Sequence, residues 1–263
     1  MSLNRVLVGG RVCAEPDFKT NEAFPSALEI QIQTRLNKKH PDEIVSVVVL
    51  DDSLIDRALD EIEIGDFIII LGRIVTTDFE RTLLTECPCC GDTKISKTHC
   101  EQTDIECENF TLLTWKQADD FKESVGLNKL FLVGNVCTPL KMIGATKNAV
   151  KFKLAVNKRI GKEKKADFPF LICYGPVRDF ALNYIQQRSL ISVEGSVVQR
   201  DIRQNYSYIC PNCHRKVAVP VLNTVREVNV YGMDFMTTGE PGDRPMQSSE
   251  RENQNSENTG SDL

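Results

Sequence analysis

Residues 176–198 read PVRDFALNYIQQRSLISVEGSVV, and residues 53–75 read SLIDRALDEIEIGDFIIILGRIV. Aligned without a gap, they pair Asp56 with Asp179, Ala58 with Ala181 and Gly72 with Gly195. Working outward, NRVLVGGRVCAEP from Asn4 matches NKLFLVGNVCTP from Asn128, which sets Gly10 against Gly134, Val12 against Val136 and Cys13 against Cys137. Fifteen residues beyond each later glycine stands a cysteine, Cys87 in ECPCCG and Cys210 in ICPNCH. The chain therefore carries one plan twice, and internal repetition of this kind governs every later inference about the fold.

Each copy reads as strands with a single helix. VKFKLAV (150–156) alternates with the period of a half-buried strand, FPFLICY (168–174) does the same, and Ala181, Leu182 and Ile185 recur at helical spacing after Asp179. LISVEGSVV then leads through the cysteine insert to a fifth strand, REVNVYGMDF. Five strands with a helix between the third and fourth is the order of an OB-fold barrel. The expected class is all-β with one short helix per repeat: two tandem five-stranded barrels, with Cys-rich inserts between the last two strands of each. Glycines inside the first and fourth strands suit the bulges that close a small barrel.

The boundaries follow from composition. Residues 1–118 form the first barrel with an insert at about 85–109, and 119–127 are a polar linker. Residues 128–236 form the second barrel with a partial knuckle at about 208–216. The stretch 237–263, which ends GEPGDRPMQSSERENQNSENTGSDL, is nearly free of aliphatic residues and reads as a disordered tail. The net charge of −5 conceals an asymmetry. Residues 1–118 hold 12 Lys and Arg against 21 Asp and Glu, whereas 128–236 hold 17 against 7. An anionic partner for the second half is the expectation. The longest aliphatic run, FIIIL at 67–71, is far too short to span a bilayer, so a cytoplasmic protein with no membrane partner is expected. In a reducing compartment, Cys-x-x-Cys spacing among ten cysteines points to metal rather than disulfides.

Three segments, NKLFLVGN from Asn128, ADFPFLICYGPVRDFALNYI and SLISVEGSVVQRD, resemble the bacterial single-stranded DNA-binding proteins. The resemblance covers most of the second copy and, more weakly, the first. It implies binding of single-stranded DNA with little sequence preference during replication, recombination or element transfer. It also implies a homodimer that brings four OB-folds together, and docking of replication or recombination proteins through the C-terminal tail. The tail here ends Gly-Ser-Asp-Leu, without the acidic run common in that family. The cysteine inserts depart from the family pattern and are similar to the zinc ribbon in an OB-fold of replication protein A. A replication scaffold and an RNA-binding protein are the alternatives. No phosphate-binding loop or nucleophile-and-base arrangement is visible, which argues against an enzyme.

A sequence-tolerant single-strand binder needs cations for the backbone and aromatic faces for the bases. The second copy offers Lys151 and Lys153 on one side of VKFKLAV, opposite Phe152, Leu154 and Val156. It adds Phe168, Phe170 and Tyr174 on one face of FPFLICY, and Lys158, Arg159, Lys162, Lys164 and Lys165 in NKRIGKEKKAD. By resemblance, Phe168 and Tyr174 stand where stacking aromatics occur. Arg200, Arg203, Tyr206 and Tyr208 make a candidate second wall. The first copy has Val45 and Asp51 at the places of Phe168 and Tyr174, and Glu29 and Gln31 at those of Lys151 and Lys153. It is therefore expected to be mainly structural, with an edge at Arg35, Lys38 and Lys39 as the lesser alternative.

For metal, the repeat alignment makes Cys87 and Cys90 a knuckle pair. Cys100 and Cys107 are the expected completion of a structural zinc site, with His99 a substitute for Cys100 and Cys89 spare. The second knuckle, Cys210 and Cys213, is half a site with three readings. It is empty, it recruits His214 or a partner's ligands, or it joins Cys87 and Cys90 in one site across the pseudo-twofold axis. The last is least favoured, because it strands Cys100 and Cys107. Cys13, Cys137 and Cys173 fall in strands and read as buried small apolar residues.

Overall fold

In a computed structural model, the described residues are 3–18, 24, 26–34, 43–114, 127–160 and 163–237. The inter-copy linker and the tail expected at 237–263 lie, but for their first or last residues, outside them. The first copy runs β1 (Leu3–Val12), β2 (Asp17–Phe18), β3 (Leu28–Thr34), β4 (Glu43–Val49), α1 (Asp52–Glu61), β5 (Phe67–Glu86) and β6 (Thr93–Leu112). The second runs β7 (Leu127–Val136), β8 (Lys141–Ile143), β9 (Ala149–Ile160), β10 (Glu163–Asp167), β11 (Phe170–Tyr174), α2 (Gly175–Tyr184), β12 (Leu190–Ile209) and β13 (Lys216–Thr237).

Each copy closes as the order of elements predicts. In the first, β1 pairs with β3 and β5, β3 with β4, β5 with β6, and β4 runs parallel to β6. In the second, β7, β9, β11, β12 and β13 repeat those pairings, with β11 parallel to β13. This is an OB barrel twice over. The residues predicted to point inward do so: Phe152, Leu154 and Val156 are buried, as are Val8, Ile30, Val47, Ile70 and Ile105 in the first copy. Helix α1 begins where the Asp51 carboxylate accepts the Leu54 N–H at 3.1 Å, and it buries Ile55 and Ala58. Asp51 thus has a capping role at the position that aligns with Tyr174.

The repeated glycines mark where strands cross closely. A Cβ on Gly10 would lie 2.2 Å from the Gln33 carbonyl oxygen, and one on Gly134 would lie 2.4 Å from that of Ala155. Gly72 and Gly195 sit at bulges in the β5–β6 and β12–β13 ladders, each equally close to a carbonyl. Gly134→Ala should cost about 1–3 kcal/mol through this overlap, read as a lower midpoint in urea. The opening asparagines are explained as well. The Asn4 amide exchanges two hydrogen bonds with the backbone of Ile74, both at 2.8 Å, and Asn128 does the same with Val197 at 2.8 and 3.1 Å.

Strand β1 pairs antiparallel with β7, from Leu3 opposite Val133 to Gly9 opposite Leu127. That seam merges both barrels into one 13-stranded sheet system. Beyond the barrels, β5–β6 and β12–β13 continue as long two-stranded arms, ending with Glu86 opposite Thr93 and Ile209 opposite Lys216. The inserts expected between the last two strands of each barrel are therefore mostly continuations of those strands. No helix among the described residues is long and apolar enough to cross a membrane.

Candidate metal centre and nucleic-acid interface

The two arms lean on one another, and their tips meet. Each tip is a Cys-Pro-x-Cys turn closed by the same hydrogen bonds: Gly91 N–H to the Cys87 carbonyl and His214 N–H to the Cys210 carbonyl, both at 2.9 Å. Gly91 (φ 69°) and His214 (φ 54°) occupy the same left-handed position. His214 thus shapes its turn and stays out of the thiol cluster. The Sγ atoms of Cys87, Cys90, Cys210 and Cys213 all lie within 4.8 Å of one another. Two cross-arm separations, Cys87 to Cys213 and Cys90 to Cys210, are 3.6 Å. Four thiolates at about 2.3 Å from a tetrahedral zinc stand roughly 3.8 Å apart, so this donor set fits such an ion. The closely spaced thiols share their protons unevenly: backbone N–H groups of Cys89 and Cys90 hold the Cys87 thiol down at about 7, whereas the Cys90 thiol is raised and that of Cys213 is pushed up to about 12. Val217 and Tyr208 pack beneath the cluster, and the Lys94 ammonium lies 4.9 Å from the Tyr208 ring centre. This four-cysteine group can hold a metal ion.

That arrangement corrects the expected completion of the first site. Cys100 sits along the first arm opposite Phe79, seven residues from the end of its strand. Cys107 lies lower still, in the barrel core opposite Gly72, where burial pushes its thiol up to about 12. An extended strand advances about 3.4 Å per residue, so neither reaches Cys87 and Cys90. His99 is exposed, 3.5 Å from an Asp78 carboxylate oxygen, and Cys89 is exposed beside the cluster. The least favoured sequence reading, a site shared across the pseudo-twofold, is the one the geometry supports. Of the three cysteines expected buried in strands, only Cys173 is, its thiol raised to about 12 by burial; Cys13 and Cys137 fall just past β1 and β7, half-buried, where each donates to a neighbouring strand carbonyl at 3.3 Å.

The expected nucleic-acid residues divide into two groups. Lys151 and Lys153 are engaged within the chain: Lys151 pairs with Glu227, Lys153 with Glu101 of the first arm, and both lie over the Phe170 ring at 4.0 and 4.7 Å. The first arm crosses the second barrel here. The Asp167 carboxylate accepts the Thr76 N–H at 2.9 Å, and the Phe168 N–H donates to the Thr76 hydroxyl at 2.8 Å. Beside them Arg226, largely covered, pairs with the buried Asp104. The second group faces outward. Phe168 is 40% exposed and Tyr174 47%, whereas Val45 in the first copy is buried.

In the β9–β10 hairpin, Lys164 stands opposite Arg159 and Lys165 opposite Lys158; Lys162 lies outside the described residues, as do Arg35, Lys38 and Lys39. Strand alternation splits the second wall. Arg200 and Tyr206 line a cleft between the arms, Arg203 faces away from it, and Tyr208 belongs to the tip. Sequence reasoning missed Phe79, Arg81, Asp104 and Glu227. The signal for the shared site was in the sequence, since Cys87 to Cys210, Cys90 to Cys213 and Gly72 to Gly195 share one spacing, but it was outweighed there by the ligand chemistry of Cys100 and Cys107.

Comparison with known proteins agrees with this architecture. Residues 127–212 match the model of the single-strand binding protein family. No curated protein sequence matches the chain. Among solved structures, the wild-type single-stranded DNA binding protein from Thermus aquaticus is similar with a TM-score of 0.58 at 16% identity, over 92% of this chain and 97% of that one. A deletion mutant of the same protein matches at 0.56 and 14%, over 92% and 98%. At such identity the likeness concerns the fold, and it extends over both copies. The match to the single-strand binding protein family falls on the second copy, and the structural likeness on both.

Proposed function

We propose that the protein binds single-stranded DNA with little sequence preference, coating and protecting exposed strands during replication, recombination or element transfer. Exposed Phe168 and Tyr174, on the more cationic of the two copies, carry this reading. Phe168 directly follows β10, and Tyr174 ends β11 opposite Ala149, so this side of the second barrel offers two faces on which a base can stack. Lys158, Arg159, Lys162, Lys164 and Lys165 give the same copy five of its cationic residues, the charge a phosphate backbone needs. Lys151 and Lys153 support the surface from below, through their ion pairs, rather than meeting phosphate directly.

Titration against fluorescent single-stranded DNA, duplex DNA and RNA tests the reading. Single-stranded DNA should bind tightest, with a log–log salt slope of about −0.7 per neutralised phosphate. Tyr174→Ala should lose roughly 1–3 kcal/mol of binding energy. Equal affinity for duplex and single strand would remove the proposal.

The cysteine cluster belongs to the same reading as a structural zinc site that fastens one arm to the other. A tetrahedral set of four thiolates suits zinc or iron, and elemental analysis separates them. Two copies of the chain associate, giving four barrels. Leu3, Phe131 and Tyr231, all exposed, line a groove of about 540 Å3 on the outer sheet face and supply apolar surface for that contact. Sedimentation at twice the 29.6 kDa chain mass is the expected result.

A further inference from the structure

On the side of the second barrel, the arms enclose a cleft of about 310 Å3 with walls from both copies. Phe79 and Arg81 of β5 form one wall, Ile202 and Tyr206 of β12 the other, and Phe170 closes the barrel end. Residues two or four apart on a strand share a face, so each pair presents itself to the same space. A volume of this size lies at the small end of ligand sites.

The charges inside the cleft are already answered. Lys151 and Arg200 meet Glu227, and Arg226 meets Asp104. Glu101 and Glu227 both stand in the lining, so a phosphate entering would face carboxylates. A neutral, flat ring meets no such opposition. Both lysines lie over Phe170, which leaves Tyr206 on one side and the Phe79–Arg81 wall on the other. The Arg81 guanidinium lies over the Phe79 ring at 5.6 Å and donates to the Asn223 side chain, so that wall offers a ring and a guanidinium plane, both of which stack on bases. The cleft also continues the exposed face described above. Arg200, half exposed, lines it and also lines a small recess that contains Tyr174.

We propose that this cleft is a nucleobase subsite built jointly by the two copies. One base of a bound single strand inserts between the Phe79–Arg81 wall and Tyr206, while its phosphates stay outside, near Arg200. The inference rests on the single-strand-binding reading and extends it to the first copy, which then contributes its arm to recognition as well as to structure.

The full-length, metal-loaded protein is titrated with a fluorescent oligothymidylate, alongside Phe79→Ala and Tyr174→Ala. Each variant should bind about 5- to 150-fold more weakly. Phe79→Ala should keep the wild-type salt slope, since no phosphate contact is removed. Photo-crosslinking of wild-type protein to an iodouracil-substituted strand gives a readout independent of variant stability, and adducts at Phe79 or Tyr206 are expected. The subsite is overturned if Phe79→Ala binds like wild type, or if adducts form only at Phe168 and Tyr174, while Tyr174→Ala still weakens binding. A wild-type protein with no preference for single strands, and a silent Tyr174→Ala, would instead remove the underlying reading.

Discussion

Asp104→Ala should lower the stability of the chain by about 3–5 kcal/mol, the cost typical of breaking a buried ion pair from one side. Asp104 is 1% exposed and the Arg226 side chain 9% exposed. They belong to different copies, at the base of the crossing arms. Burial pushes the Asp104 carboxyl above its ordinary range, and the nearby Arg226 guanidinium pulls it back. Removing the carboxylate strips this counter-charge from a guanidinium held away from water, while its hydrogen bond to Gln199 stays. Replacing both residues with apolar side chains of similar size should return most of the loss, since a well-packed apolar pair often equals a buried ion pair. Urea melts of the two single variants and the double variant form the cycle that isolates the pair. A single-variant cost under about 1 kcal/mol, the range of exposed pairs, would mean that water reaches the junction.

The second large effect is all-or-none. Purified protein should carry one zinc per chain. Cys210→Ser or Cys87→Ser should abolish it, whereas Cys100→Ser and Cys107→Ala should retain it. The four cysteines of the cluster come two from each arm, so loss of any one would leave three thiols on two hairpins with no complete site to share. The barrels have their own apolar core and should stay folded. Loosening should be confined to the tips, detected as new protease cleavage near residues 80–95 and 205–215. Zinc lost from Cys100→Ser but kept in Cys210→Ser would restore the within-insert site and refute the shared one.

The barrels were legible in the sequence because their determinants are local and written twice. Gly10 and Gly134 admit a crossing carbonyl, alternation in VKFKLAV places Phe152 and Leu154 inside, and helical spacing buries Ala181. What escaped was relational. Cys100 and Cys107 have plausible ligand chemistry, but strand geometry fixes them opposite Phe79 and Gly72, and spacing along a chain does not reveal that. The charge asymmetry was read wholly as the mark of an external anion. Part of it is internal, since Glu101 and Asp104 of the acidic half answer Lys153 and Arg226 of the basic half.

The β1–β7 seam relates the halves as two subunits of a dimer would be related, yet their junction is no longer self-complementary. The shared repeat spacing places Thr103 of the first copy where the second has Arg226. Two first halves docked in the same way would set each buried Asp104 against a threonine, with no cation to neutralise it. A carboxylate stranded like that costs several kcal/mol, enough to discourage such a pair. Joining the halves in one polypeptide guarantees each acidic unit a basic mate at fixed local concentration. With its partner tethered, neither unit needs a surface that pairs with its own kind.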